Sequence, residues 1–120
     1  MVRAAVPAAE LRADKPEEDW DMHEDAVHAA PKMYKVLLEN HRVRVLEARI
    51  KAGVTAPMHS HPGSVVYFLS DAKAKFIFPD GKTEIVEGRK GQVMWHDHLA
   101  HAVEDVADHE AHVLIVELKH

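Results

Sequence analysis

The chain has 120 residues, contains no cysteine and carries a formal net charge of -5 at pH 7. This length indicates a single domain with one core, and the lack of cysteine excludes a disulfide framework, a thiolate metal site and a cysteine nucleophile. No apolar run is long enough to cross a bilayer and no compact apolar segment resembles a signal peptide, so we expect a cytoplasmic protein.

The negative charge is concentrated in residues 1–31, which contain eight acidic and three basic side chains, whereas residues 32–120 contain twelve of each. The balanced charge of the second segment makes nucleic acid and anionic membranes unattractive partners. We predict that residues 1–31 form an acidic N-terminal arm before a domain of residues 32–120. The arm either contains a short helix that begins near Pro16 and ends before Pro31, or is a mobile tail. In the first case Trp20 packs on the domain or on a second subunit.

After Pro31 short β-type runs alternate with turn residues. Strands are predicted at residues 33–38, 43–50, 64–69, 73–78, 83–86, 92–95, 102–106 and 112–118. The run at 64–69 is so continuously apolar that we expect both of its faces to be buried. Asp80-Gly81 predicts a hairpin between two of the runs. Eight or nine short strands with regular turns, and no convincing helix after residue 31, predict an all-β sandwich or barrel.

Eleven histidines are an unusual number for this length, and three of them suggest a metal site. His59 and His61 are two residues apart, so on a strand their imidazoles lie on the same face. His101 follows about forty residues later in a second histidine-rich stretch. Neutral imidazole binds zinc, copper, iron and nickel, and three such ligands leave positions open for substrate. The sequence therefore predicts a three-histidine metal site.

The spacing of these residues resembles that of the cupins, small double-stranded β-helices of jelly-roll type. Gly53, five further residues and then His59-Ser60-His61 match the first half of the first cupin motif. The glutamate of that motif is missing, because its position falls on Val65 or Val66. The glycine that closes the motif falls near Ala72.

The second cupin motif is represented by Gly91, the apolar run at residues 93–95 and His101. Its turn is one residue shorter than usual and has His96 or Asp97 where proline is common. Asp105 stands where asparagine is usual. The resemblance covers residues 33 to about 118 and implies a single-domain cupin jelly roll.

By this resemblance, His59, His61 and His101 would be the metal ligands. Without the motif glutamate a divalent ion keeps its full double charge, which favours a bidentate anionic ligand. Three-histidine iron sites of some cupin dioxygenases are of this kind, so Fe(II) and a dioxygenase that acts on a small, enolisable or chelating substrate are the first expectation. The residue types also suit zinc with a bound water of pKa about 7, and manganese and nickel remain open.

A pocket inside the barrel is predicted from apolar residues on neighbouring strands, namely Val66, Phe68, Phe76 and Trp95. Plain core packing is the alternative for each of them. Tyr67 could offer a hydroxyl to substrate, but it lies on the opposite face from Val66 and Phe68.

His96 and His98 are predicted catalytic residues that would move protons. A substitute metal ligand, a mouth for the pocket and solvated turn residues are the alternatives. Gln92 and Glu104 are weaker candidates for a supporting role.

Two other functions remain open on the sequence. The missing glutamate fits a non-catalytic cupin that binds a metal or metabolite as a sensor or storage protein. A metal-assisted isomerase or lyase would use the ion to polarise a carbonyl group. Cupins of this size are commonly dimers in which an N-terminal arm crosses between subunits, so the resemblance also implies a homodimer.

Overall fold

The computed structural model describes residues 24–119, which form nine strands and one short helix. The elements are α1 (Ala26–Ala29), β1 (Tyr34–Glu39), β2 (Val43–Ile50), β3 (Thr55–His61), β4 (Ser64–Phe68), β5 (Ala72–Ile77), β6 (Thr83–Gly88), β7 (Val93–His96), β8 (Leu99–Asp105) and β9 (Ala111–Leu118). The all-β prediction is confirmed, and most predicted strands lie within two residues of the observed ones.

The strands form two antiparallel sheets that face each other. One has five strands in the order β1-β2-β9-β4-β7, and the other has four in the order β3-β8-β5-β6. Consecutive strands repeatedly alternate between the sheets, which is the jelly-roll arrangement predicted from the sequence. None of the described helices is long and apolar enough to span a membrane.

The hairpin between β5 and β6 forms where Asp80-Gly81 predicted it. Gly81 has φ of 89°, a conformation that a residue without Cβ adopts without strain. Its N–H donates to Phe78 O at 2.8 Å, and Lys82 N–H donates to an Asp80 carboxylate oxygen at 3.0 Å. The turn thus satisfies its own polar groups and returns β6 beside β5.

The segment before β1 covers the edge of the four-stranded sheet. Asp25 caps α1 by accepting from Val27 N at 2.8 Å, and Ala26 of this helix is fully buried. Glu24 O accepts from the N–H of Ser60 on the edge strand β3 at 2.8 Å. This contact satisfies a strand edge that would otherwise present an unpaired N–H group.

The predicted arm falls only partly within the described residues. Its residues 1–23, including Pro16 and Trp20, lie outside them, and in the described part of the arm only the four residues of α1 are helical. The division between residues 31 and 32 stays a prediction.

The strand β4 is central in its sheet, since it pairs with both β7 and β9. Its inward side is buried at Ser64 and Phe68. The expectation that both faces are buried is wrong for the outer face, where Tyr67 is 40% exposed. Tyr67 pairs with Val93 and Leu114 across this surface, so the continuous apolar run reflects an apolar outer surface rather than a second core.

Candidate metal centre

Three imidazoles meet between the sheets at the end where β3 and β8 pair. His59 and His101 are directly opposite each other in that pairing, and His61 follows on the same face of β3. All three are buried, at 0%, 7% and 5% exposure for His59, His61 and His101. One ring nitrogen from each lies within 4.8 Å of the others. The structure therefore brings together the three residues that the sequence predicted as metal ligands.

A bulge in β3 places the first of these histidines. The register of β3 against β8 shifts between Ala56 and His59, at Pro57 and Met58. Proline cannot donate a ladder hydrogen bond, so a bulge on an edge strand is a position that tolerates it. The carbonyl group of Pro57 then turns to accept from His59 Nδ1 at 2.6 Å.

The hydrogen bonds of two imidazoles fix which nitrogen carries the proton. The Pro57 carbonyl oxygen can only accept, so His59 Nδ1 is protonated and its Nε2 keeps a lone pair. His61 Nδ1 donates to Glu117 Oε2 at 2.6 Å, so its Nε2 is likewise a free electron-pair donor. This is the arrangement in which histidine binds a metal while its other nitrogen is held by an oxygen atom.

The third imidazole lacks such partners. Both ring nitrogens of His101 are buried without a hydrogen-bond partner among the described residues. A buried polar atom without a partner costs free energy, and such atoms are rare in folded proteins. A cation bound to His101 and the two neighbouring imidazoles would satisfy this residue, so the donor set fits a divalent metal.

Burial keeps His59 and His101 neutral. Burial first, and the nearby His61 second, lower the pKa of His59 to about 4. Burial, followed by the neighbouring histidines, also lowers the pKa of His101 well below its usual value. Neutral imidazole is the form that binds metals, so His59 and His101 are ready for a cation at neutral pH.

An ion pair with a buried carboxylate lies behind His61 and was not predicted from the sequence. Arg44 on β2 contacts Glu117 Oε1 at 2.9 Å, and Glu117 is only 2% exposed. Although burial alone would lower it, the pKa of Arg44 is raised by Glu117 and then by Asp25. Arg44 also reaches Asp25 Oδ1 at 3.4 Å. Glu117 thus remains available as the acceptor for His61.

The position of the missing motif glutamate is apolar in the structure. Val65 pairs with Trp95 and Val116 within the five-stranded sheet, and Val66 lines the interior. The buried carboxylate comes instead from Glu117 on β9, directly opposite Ser64. Its position among the inward residues of an apolar strand was the available signal, because a charge there is rarely buried without a partner.

A cavity of about 100 Å³ lies beside the histidines. Val66, Phe68 and Phe76 line it, together with Tyr34, His61 and His101. The Phe76 ring centroid is 4.3 Å from that of His101. The predicted pocket residues therefore border the same space as two of the predicted ligands, except for Trp95.

Trp95 does not line this cavity. Its indole Nε1 donates to Asp97 at 2.9 Å, and its ring packs so close to Gly63 that a Cβ there would lie 3.0 Å from it. Trp95 therefore supports the turn that follows β7.

The two predicted catalytic histidines occupy different positions. His96 lies in the cavity wall, 5.7 Å from the Phe76 ring between centroids. His98 is half-buried in the turn before β8 and does not line the cavity. Of the weaker candidates, Gln92 accepts from Arg89 N at 2.9 Å in a turn, and Glu104 pairs with Thr55 and Lys75 in the sheet.

The chain matches no family model and no curated protein. Among solved structures it is similar to a cupin domain from Bordetella pertussis, with a TM-score of 0.67 and 23% identity over 73% of this chain and 93% of that one. A RmlC-like cupin from Methanocaldococcus jannaschii has a TM-score of 0.58 and 10% identity over 72% of this chain and 79% of that one. A polyketide cyclase from Streptomyces resistomycificus has a TM-score of 0.55 and 19% identity over 81% of this chain and 70% of that one. The chain therefore has the cupin fold.

Proposed function

We propose that this chain is a metal-dependent enzyme of the non-haem dioxygenase type, in which His59, His61 and His101 hold a divalent cation, foremost Fe(II). The observation that carries the proposal is the buried His101, whose two ring nitrogens lack partners among residues 24–119. Its nearest polar neighbours, His59 and His61, offer lone pairs rather than protons. Three imidazoles that direct electron pairs into one buried space are best stabilised by a cation.

The groups around the three histidines favour metal binding, whatever reaction follows. Pro57 O and Glu117 each hold an Nδ1 proton, so His59 and His61 present Nε2 in a fixed orientation. Bound there, Fe(II) would supply a Lewis acid and a centre for reaction of dioxygen with an electron-rich substrate. The apolar walls formed by Val66 and Phe68 exclude water and strengthen the electrostatic attraction between cation and substrate.

The charges of the site favour a particular kind of substrate. Three neutral imidazoles leave the double charge of the cation uncompensated, because Glu117 is engaged by Arg44 and His61. An anion that offers two oxygen atoms would compensate part of that charge. We therefore propose a small chelating organic substrate such as an enolate. His96, in the cavity wall, is the residue placed to exchange a proton with it, and His98 would act from the adjacent turn.

A second candidate is a metal-assisted isomerase, lyase or cyclase that needs no dioxygen. The position of His96 favours it, because an imidazole beside an activated carbonyl group is a suitable general acid or base. The similarity to a polyketide cyclase is consistent with such a reaction. The two candidates differ in whether oxygen is consumed.

Metal analysis and oxygen uptake test the proposal together. The purified chain is stripped with chelator and reloaded with Fe(II), zinc, manganese or nickel, and oxygen uptake is then followed with diketones, phenols and keto acids. We expect one tightly bound ion and uptake with iron only. His59→Ala, His61→Ala and His101→Ala should each lose the ion, whereas His109→Ala, an exposed histidine, should keep it.

The outcomes separate the candidates. Bound metal with product but no oxygen uptake would support the isomerase, lyase or cyclase. Bound metal without turnover would support a sensor or storage protein. If the wild type and the three histidine variants hold equally little metal, the site is wrongly assigned.

We also propose that the protein is a homodimer that buries the outer face of the five-stranded sheet. Tyr67, Val93 and Leu118 on this face are 40%, 57% and 38% exposed. Charged residues on this face would oppose self-association, so Tyr67→Glu with Val93→Glu should give a monomer in light scattering. Wild-type protein that is already monomeric at all concentrations would contradict the proposal.

A further inference from the structure

Tyr34 is the one buried residue of an otherwise exposed strand. It is 3% exposed, whereas residues 35–39 of β1 are all exposed. The turn after α1 positions it, since the N–H groups of Met33 and Tyr34 both donate to Ala30 O, at 3.0 and 3.1 Å. The Tyr34 side chain therefore lies in the interior, where β1 passes the histidines.

The Tyr34 hydroxyl group contacts the histidine nitrogen that a metal would use. It lies 3.2 Å from His59 Nε2. Because His59 Nδ1 donates to Pro57 O, Nε2 is an acceptor and the hydroxyl group is the donor. The Tyr34 ring also packs on the ring of His61, with centroids 5.8 Å apart. Tyr34 therefore hydrogen-bonds a lone pair that points into the candidate site.

A cation bound to the His59 lone pair would break the hydrogen bond from the Tyr34 hydroxyl group. A buried hydroxyl donor then needs another acceptor, because leaving it unsatisfied costs free energy. Tyr34 lines the cavity, whose wall contains no carboxylate among the described residues. Among the described residues, the wall side chains that could accept are the imidazoles of His61, His96 and His101 and the hydroxyl group of Ser64. An oxygen atom of a small molecule beside the cation would be the natural acceptor.

We propose that Tyr34 is a specificity-determining residue whose hydroxyl group hydrogen-bonds His59 in the metal-free protein and an oxygen atom of the substrate in the loaded protein. This inference rests on the proposed function and deepens it. It assigns to Tyr34 the role of a substrate hydroxyl donor that the sequence suggested for Tyr67, which lies on the outer face.

The same wall narrows the class of substrate. The lining contains no lysine and no arginine among residues 24–119, so no second anionic group would find a cationic partner. A cavity of about 150 Å³ can hold benzene, and this one, at about 100 Å³, is smaller. The substrate class is therefore a small monoanion with two neighbouring oxygen atoms and a short apolar body. Dianions whose second charged group lies away from the cation should bind less well.

The test uses cobalt as a visible reporter and acetohydroxamate, a small monoanionic oxygen chelator, as the ligand probe. Tyr34→Phe keeps the aromatic ring and removes only the hydroxyl group. Tyr67→Phe makes the same change on the outer face and is the matched control. Cobalt affinity is measured by titration, and acetohydroxamate affinity by the change in the visible spectrum of the cobalt protein.

We expect Tyr34→Phe to bind cobalt as tightly as the wild type or about two- to tenfold more tightly, because a competing hydrogen bond is removed. Its acetohydroxamate affinity should fall about tenfold, while Tyr67→Phe changes neither value. Unchanged acetohydroxamate affinity in Tyr34→Phe would overturn the inference. So would a loss of cobalt affinity of tenfold or more, since the hydroxyl group would then be a metal ligand.

Should Tyr34→Phe fail to fold, the Tyr67→Phe protein gives the same information, because Tyr34 is then the one tyrosine in the chain. Its near-ultraviolet absorption should shift on addition of Zn²⁺ and again on addition of acetohydroxamate. A spectrum that does not change at the second step would overturn the inference. A wild type that binds no cobalt would remove the proposed function, and the inference with it.

Discussion

The interior of this protein has two ends of opposite character. At one end His59, His61 and His101 are buried beside the ion pair of Arg44 and Glu117. At the other, apolar side chains form the core, and most of them also line the cavity beside the histidines: Leu46, Ala48, Ile50, Val103 and Ile115. Both ends are equally hidden from water, but only the apolar end gains free energy from burial alone.

The comparison shows which residues the fold requires and which it tolerates. Apolar side chains would pack the histidine end at least as well, and they would not leave the nitrogens of His101 without partners. Local departures of this kind are expected where a protein keeps a functional site. The following changes test whether the polar end costs stability in the metal-free protein and recovers it on metal binding.

The largest effect is expected for His101→Leu, which makes the polar end resemble the apolar end. Metal affinity should fall on the order of 1000-fold, because a ligand is lost rather than an outer partner. In the metal-free protein the free energy of unfolding should rise by about 1 kcal/mol, since two unsatisfied nitrogens disappear. Metal titration and urea denaturation measure both values. Metal affinity within tenfold of wild type would refute the role of His101.

A smaller effect is expected for Glu117→Gln. The amide group holds the His61 proton less well than a carboxylate does, so metal affinity should fall about 10- to 100-fold. Loss of the anion beside half-buried Arg44, which still contacts Asp25, should also cost about 2 kcal/mol of unfolding free energy, less than for a fully buried pair.

The matched control is Glu110→Gln, which breaks an exposed pair with Arg49 and should cost less than about 1 kcal/mol. Equal effects of Glu117→Gln and Glu110→Gln on metal binding would show that Glu117 does not act through His61.

Acidification should lower the free energy of unfolding of the metal-free protein. His59 and His101 have pKa values lowered in the folded state, to about 4 for His59, so between pH 6.5 and 4 the unfolded chain binds more protons than the folded one. Stability is therefore fully present above about pH 6.5 and is lost as the pH falls. We expect a loss on the order of 2 kcal/mol between pH 7 and pH 5 for His59 alone.

Urea denaturation of chelator-treated protein at several pH values measures this loss. His101→Leu should show a shallower dependence on pH than the wild type does. A wild-type stability that does not change between pH 7 and pH 5 would contradict the buried, neutral state of the imidazoles.

The smallest effect is expected at the edge of the histidine end, for Asp25→Ala. The change removes the cap of α1 and should cost about 1 kcal/mol. Metal affinity should stay within about twofold, because Arg44 still contacts Glu117 at 2.9 Å. Asp25→Asn, which can cap the helix without charge, should recover most of the stability. A large loss of metal affinity in either variant would show that the ion pair depends on Asp25.

The sequence predicted the parts of this structure that depend on local pattern. The strand at residues 43–50 was placed within its observed bounds, and the His59-Ser60-His61 spacing was sufficient to place two imidazoles on one face. His101 was found because the distance between the two histidine stretches matched a known arrangement. Such features follow from the two-residue period of strands.

The parts that it missed depend on pairing between distant strands. Glu117 reaches His61 only because β9 lies beside β4 and β2 in a particular register, which no local pattern specifies. Tyr34 begins an exposed strand, so its burial could not be inferred from the period of β1. Trp95 was assigned to the pocket by composition, but the close contact with Gly63 and the hydrogen bond to Asp97 hold it elsewhere.

The most direct test of the central claim is a crystal structure of the cobalt-loaded protein with anomalous data at the cobalt edge. We predict a single strong anomalous peak between the sheets, in contact with Nε2 of His59, Nε2 of His61 and one ring nitrogen of His101. A peak elsewhere, or an interior without one while the three imidazoles remain together, would contradict the account.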